Sequence, residues 1–192
     1  NPPAALKEPI RRRVVEPLYA PTGPVSPTID GRETSYYEWL YAGRIDLRQQ
    51  YAAIQRAAQC LRSVHYGFDE THQYLRLDYD REALGRLTGW SLELTFGDRL
   101  QVLVTLDAGA ARAKMRRPVG GGETAWGTVQ CALGRVLELA IPFEALALKT
   151  GEKLPLVIRL LDGGNALEQY PAQGSFELSA SLLDLDAYSC TV

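Results

Sequence analysis

Ser91 to Leu106, SLELTFGDRLQVLVTL, decides the fold class. Leu92, Leu94 and Phe96 alternate with Ser91, Glu93 and Thr95, the period of two that sends apolar side chains to one face of a strand. Gly97-Asp98 supplies a tight turn, and the chain then runs from Leu100 to Leu106 with an apolar residue at nearly every position. That second run predicts a central strand covered on both sides, and the turn between the two runs predicts an antiparallel pair.

The same signals extend in both directions. Upstream, Tyr74, Arg76 and Asp78 alternate with Leu75, Leu77 and Tyr79, so one face packs and the other meets solvent. Asp69 to Gln73 separates this strand from the Val64 to Phe68 run and predicts a hairpin. Ala42 to Leu47 reads as a short strand. In Arg48 to Arg62, Tyr51, Ile54, Ala58 and Leu61 fall at helical spacing, which predicts helix for the first turns. Downstream, Ala108 to Thr124, AGAARAKMRRPVGGGET, reads as a basic, solvated loop ending in three glycines. Gly127 to Cys131 and Val136 to Ile141 bracket Leu133-Gly134-Arg135 as another hairpin. Pro142 opens a short helix, Phe143 to Leu148, and Gly151 ends that excursion. Leu156 to Leu161 is a strand with Pro155 at its start or edge, Asp162-Gly163-Gly164-Asn165 is a turn, and Phe176 and Leu178 lie on the last strong strand, continuing towards Leu183. Short strands, hairpin signals and little helix predict an all-β protein, an antiparallel β-sandwich.

At 192 residues the chain suits one domain with a substantial core. Seven prolines between Pro2 and Pro27 hold the start of the chain extended, so residues 1–25 read as a linker or strap and 26–192 as the sandwich. Arg11, Arg12 and Arg13 are a solvated charge run within it. An opening Asn suggests a fragment or processed product. Hydrophobic content of 46% with 23% charged residues is ordinary for a soluble domain, and a net charge of -2 gives no electrostatic case for nucleic acid or an anionic membrane. No apolar run approaches the ~20 residues of a transmembrane helix, and no signal-like segment opens the chain. Cys60, Cys131 and Cys190 are odd in number and far apart, which fits a reducing cytoplasm and offers no zinc spacing.

Function rests on the aromatic residues. Ser26 to Tyr41, SPTIDGRETSYYEWLY, is the densest aromatic patch, with Tyr36, Tyr37, Trp39 and Tyr41 after an Asp30-Gly31 turn. Such a cluster either plugs the end of a sandwich core or presents rings to a flat ligand such as a sugar. Core packing is the simpler reading, and it sets Trp39 as a plug. For sugar, the aromatic candidates are Trp126, Trp90, Tyr36, Tyr37 and Tyr170, with Arg32, Glu33, Asp69 and Gln169 as polar neighbours. Trp126 has the best claim because it follows the glycine-rich loop. Enzyme signals are weak: His65 lies on a strand and His72 in a turn without a nucleophile elbow, and Glu33 with Glu38 suits surface salt links. No GK[ST] follows the glycines, so they are no phosphate cradle. Asp162 with Asn165, or Asp69 with Glu70, could offer oxygens to Ca²⁺, but their spacing fits no calcium loop and ordinary turn chemistry is expected. Met115 in the basic loop makes a poor haem ligand. No cofactor or metal is expected.

PTIDGRETSYYEWLYAG, from Pro27, resembles the segment that opens the C-terminal β-rich region of bacterial glycoside hydrolase family 57 proteins, and the "IDG…W" opening of family 9 carbohydrate-binding modules and DOMON-like domains. SVHYGFDETHQYLRLDYD, VLELAIPFEALALKTGE and LEQYPAQGSFEL continue the resemblance, which covers about Pro24 to Leu185. It implies a jelly-roll-like, carbohydrate-binding-module type of sandwich, a long strand over Ile54 to Tyr66 that makes strand the expectation from about Ala57, an accessory role beside a catalytic domain that carries the nucleophile and acid, and an α-glucan as the ligand if one binds. It transfers no catalytic residue and no sugar-clamping tryptophan to this chain. A module that packs on the catalytic domain or dimerises, without touching glycan, is the alternative.

Overall fold

The structure is a computed structural model that describes residues 14–15, 19–50, 59–80, 82, 87–118, 127–148 and 152–179. Its strands are β1 (Val14–Val15), β2 (Gly43–Asp46), β3 (Leu61–Phe68), β4 (His72–Tyr79), β5 (Trp90–Phe96), β6 (Leu100–Asp107), β7 (Ala110–Arg116), β8 (Gly127–Leu133), β9 (Leu137–Pro142), β10 (Leu154–Asp162), β11 (Asn165–Tyr170) and β12 (Ser175–Leu178), with one short helix, α1 (Phe143–Leu146). They form one 12-stranded sheet in the order β1-β12-β10-β5-β6-β7-β8-β9-β4-β3-β2, with β11 on β10 beside β12. Among the described residues all pairings are antiparallel except β1 with β12. The fold class is thus all-β and sandwich-like, as the alternation predicts.

The sheet curls because β8 changes partner. Its first residues, Gly127 to Val129, pair with β7, and Gln130 to Leu133 pair with β9. The two halves then face each other across one core. Every second residue points into it: Leu75 and Leu77 from β4, Leu92, Leu94 and Phe96 from β5, Leu100, Val102 and Val104 from β6, Leu156, Ile158 and Leu160 from β10. Arrays of β-branched and γ-branched side chains on facing sheets interdigitate in this way.

Several expectations need correction. β6 is buried only at alternate positions; Leu103 is half-exposed and Thr105 exposed, so one face is covered and the other meets solvent. The basic stretch expected as a loop contains β7, paired with β6 from Gln101↔Arg116 to Asp107↔Ala110. Its alternation was hidden because the inward residues Ala111 and Ala113 are small and only Ala113 is buried. β11 is a strand the patterning does not predict: it starts at Asn165, expected in the turn, and most of its side chains are exposed or polar. β3 begins at Leu61 rather than near Ala57, after a 3-10 turn at Leu47–Gln50. The helix expected after Arg48 falls otherwise on residues outside those described, as do Arg11–Arg13, Gly151, Cys190 and the continuation to Leu183.

Two described parts of the proline-rich start lie at the two edges of the sheet. β1 adds to the edge of β12, and Tyr19 exchanges both backbone hydrogen bonds with Arg44 of β2, at the opposite edge of the sheet (3.0 and 2.9 Å). The chain continues over β3, where Val25 N–H donates to the Phe68 carbonyl (2.9 Å). A side chain closes the seam of the curl. The buried Glu168 carboxylate on β11 accepts the backbone N–H groups of Cys60 and Leu61 at the head of β3, and the Tyr170 hydroxyl. Otherwise the N–H groups at that edge would be buried without partners.

Candidate functional site

The outer face of β2, β3, β4 and β9 is where the aromatic opening segment lands. Its register brings Arg44, His65, Arg76 and Glu138 into one row across four strands. Tyr74 and Ala140 lie beside that row and form a second, small core with Val25 and Trp39, packed by Ile29 and Ala42. Trp39 is 6% exposed and is a plug as expected, but on the outside of the sheet rather than at the end of the main core.

Glu138 anchors this cover. One carboxylate oxygen accepts the N–H groups of Asp30 (3.2 Å) and Gly31 (2.9 Å), and the other accepts Trp39 Nε1 (3.2 Å). Burial pushes the Glu138 carboxyl above its ordinary value, and these three donors act against that rise. The Gly31 carbonyl in turn accepts Arg135 N–H (2.7 Å) and Val136 N–H (3.2 Å) from the turn between β8 and β9. A Cβ on Gly31 would lie 2.7 Å from Gly134 N, and one on Gly134 would lie 2.5 Å from the Gly31 oxygen, so both positions need glycine. The resembling IDG and W elements therefore converge on one acidic residue in β9.

Beyond the cover the face stays open, and a cavity of about 420 Å³ is lined by Glu33, Tyr36, Arg76, Asp78, Arg135 and Val136. Arg76 is only 7% exposed; its Nε donates to Asp78 (2.8 Å) and its Nη2 to Glu33 (3.2 Å). Asp78 also accepts Ser63 Oγ–H (2.8 Å) and lies 3.2 Å from His65 Nε2. Burial works against the Asp78 charge, but His65 and the Arg76 guanidinium outweigh it and leave its pKa at about 2. Asp78 stands between Ser63 and His65, so the hydroxyl-to-imidazole bond of a Ser-His-Asp triad is not formed. A neighbouring cavity of about 580 Å³ shares Glu33 and Arg135 and adds Arg32, Thr34 and Gly134.

The expected sugar residues separate sharply. Tyr36 and Tyr37 are 73% and 75% exposed and meet edge to face at 5.8 Å, while Arg32 and Glu33 line the cavities beside them. Tyr170 lies in the main core with no exposed surface, its hydroxyl donating to Glu168 and accepting from Gln59, so its ring offers no face to a ligand. Trp90 is half-buried against the same core at the start of β5. Trp126 lies outside the described residues. Asp69 is a turn residue: burial pushes its carboxyl up, but N–H groups of Thr71 and His72 and the hydroxyl of Tyr74 more than offset this and hold it low. Gln169 accepts Arg159 Nε–H (3.1 Å) on β11.

Arg76, Asp78, His65, Arg135 and Glu138 were missed. The sequence signal for Arg76 and Asp78 was their alternation with Leu75 and Leu77, which assigned them to solvent. For Glu138 it was a lone acid within the apolar run VLELAIP. Among the described residues no group of three His, Cys, Asp or Glu is placed to hold a metal ion, and no helix is long and apolar enough to cross a membrane. Comparisons with protein families, curated proteins and solved structures find no match.

Proposed function

We propose that this chain is a non-catalytic accessory domain that binds carbohydrate, and that the ligand is an α-glucan acted on by a family 57-like glycoside hydrolase. The observation that carries the reading is the meeting of an exposed tyrosine ring with a charged, hydrogen-bonded floor in one cavity. Tyr36 supplies a flat face for the C–H side of a pyranose, and Glu33, Arg76 and Asp78 supply acceptors and donors for its hydroxyls. The floor is preorganised, since Arg76 is fixed by two carboxylates before any sugar arrives. The glucan and the parent enzyme rest on the sequence resemblance. The odd number and wide spacing of the cysteines suit a reducing cytoplasm.

A docking role is the second reading, favoured by one observation: Tyr37, Leu40 and Tyr41 are exposed next to Tyr36 on the same segment. Calorimetric titration of the chain with maltoheptaose and soluble starch separates the two. Glycan binding gives saturable heat that weakens at least tenfold in Tyr36→Ala and in Glu33→Gln. The absence of heat at millimolar sugar would refute it and leave docking on a catalytic domain.

A further inference from the structure

Arg32 and Arg135 come from segments a hundred residues apart and line one cavity, with Arg76 in the cavity that adjoins it. Their meeting is built into the backbone. Gly31 and Gly134 touch too closely for any side chain, and the Gly31 carbonyl takes both Arg135 and Val136 N–H groups, so the two arginines flank a fixed junction. Among the described residues neither Arg32 nor Arg135 has an acidic partner, a state they share with Arg44 and Arg112 and not with Arg48, Arg62, Arg76, Arg99 and Arg159. Arg76 leaves its Nη1 without a described partner. The acids at the site are already engaged, Glu33 by Arg76 and Asp78 by Arg76, His65 and Ser63.

Neutral hydroxyls do not account for this surplus. A guanidinium presents a planar fork of donors that matches an oxyanion, and it remains charged at every physiological pH. The two cavities share Glu33 and Arg135 in their walls, so a sugar on Tyr36 would place a substituent beside the arginines of the second cavity. Building on the carbohydrate reading above, we infer that the glycan this site selects carries an oxyanion, a phosphate monoester or a carboxylate, held by Arg135 and Arg32 next to the pyranose on Tyr36.

The test titrates the full chain in low salt with maltohexaose, with maltohexaose bearing one C6 phosphate, and with maltohexaose oxidised to a carboxylate at one C6. At least one charged sugar is expected to bind ten times more tightly than the neutral one. That ratio should fall towards one in the Arg32→Gln/Arg135→Gln double variant and in high salt. The charged sugar that shows the advantage identifies the substituent. Both arginine side chains are solvent-facing, and a thermal melt checks that the variant stays folded. Equal affinity for neutral and charged sugars, or an advantage that survives the double substitution, would overturn the inference and leave carbohydrate binding intact. Failure of all three sugars to bind would refute both.

Discussion

Asp78 shows how one residue ties stability to the site. Its carboxyl is held at about 2 against an ordinary 3.8, so its contribution is complete above the ordinary value and is lost as pH falls through the folded one. The difference corresponds to roughly 2 kcal/mol. Urea melts of the native chain and of Asp78→Asn between pH 2 and 7 should therefore converge at the acid end and separate above pH 4. Parallel curves would show that the charge is not held by His65 and Arg76. Glu138 is the opposite case, a buried carboxyl whose value is raised mainly by burial and whose three donors are structural. Removing the acceptor in Glu138→Ala leaves three N–H groups facing nothing and should cost about 3 kcal/mol or more. Trp39→Ala should cost roughly 3 to 5 kcal/mol. Because Trp39 Nε1 donates to Glu138, the two losses should not add, and a double-mutant cycle by chemical denaturation measures the coupling. The burial of Trp39 was legible from its aromatic cluster, but the partners of Asp78 and Glu138 were not, since Arg76 and Asp78 carry the alternation of a solvent-facing strand until another segment covers that face.

The opening segment is the element that makes the site. Its Asp30 carboxylate accepts Arg32 N–H and Thr34 Oγ–H, and Glu38 accepts the N–H groups of Thr34 and Ser35, so its turns are self-supporting before they dock. Turn chemistry of this kind is readable from sequence, and the segment's importance was. Its landing place was not, because a period of two shows which residues share a face and not which faces acquire a second layer. The same limit explains the other misreadings. β7 alternates Ala and Met with Arg and Lys, a weak amphipathic signal beside its glycine-rich neighbour, and β11 gains its place from pairing with β10 more than from burial. Where apolar alternation was strong, at β4, β5 and β10, and in the apolar run of β9, the strands stand within a few residues of expectation.

At the scale of the molecule, the curled sheet leaves a seam: β1 adds to one of its edges and Tyr19 to the other, and the Glu168 carboxylate on β11 clasps the head of β3. Sequence could suggest an extended start from its prolines but not the side-chain clasp, which joins residues over a hundred positions apart. Glu168→Ala strips the acceptor from two backbone N–H groups and should lower stability by about 2 to 4 kcal/mol, with faster hydrogen exchange at Cys60 and Leu61. Unchanged exchange there would show that the seam is closed by packing alone. The clasp lies away from the cavity, so this variant should still bind sugar.

Carbohydrate binding on the outer face is most directly tested by amide chemical-shift mapping of the labelled chain during titration with maltoheptaose to millimolar concentration. Saturating shifts are expected at Gly31 to Glu38, at Arg76 to Asp78 and at Gly134 to Val136, with β5, β6 and β10 unmoved. No shifts, or shifts gathered on another face such as the one between β7 and α1, would contradict it.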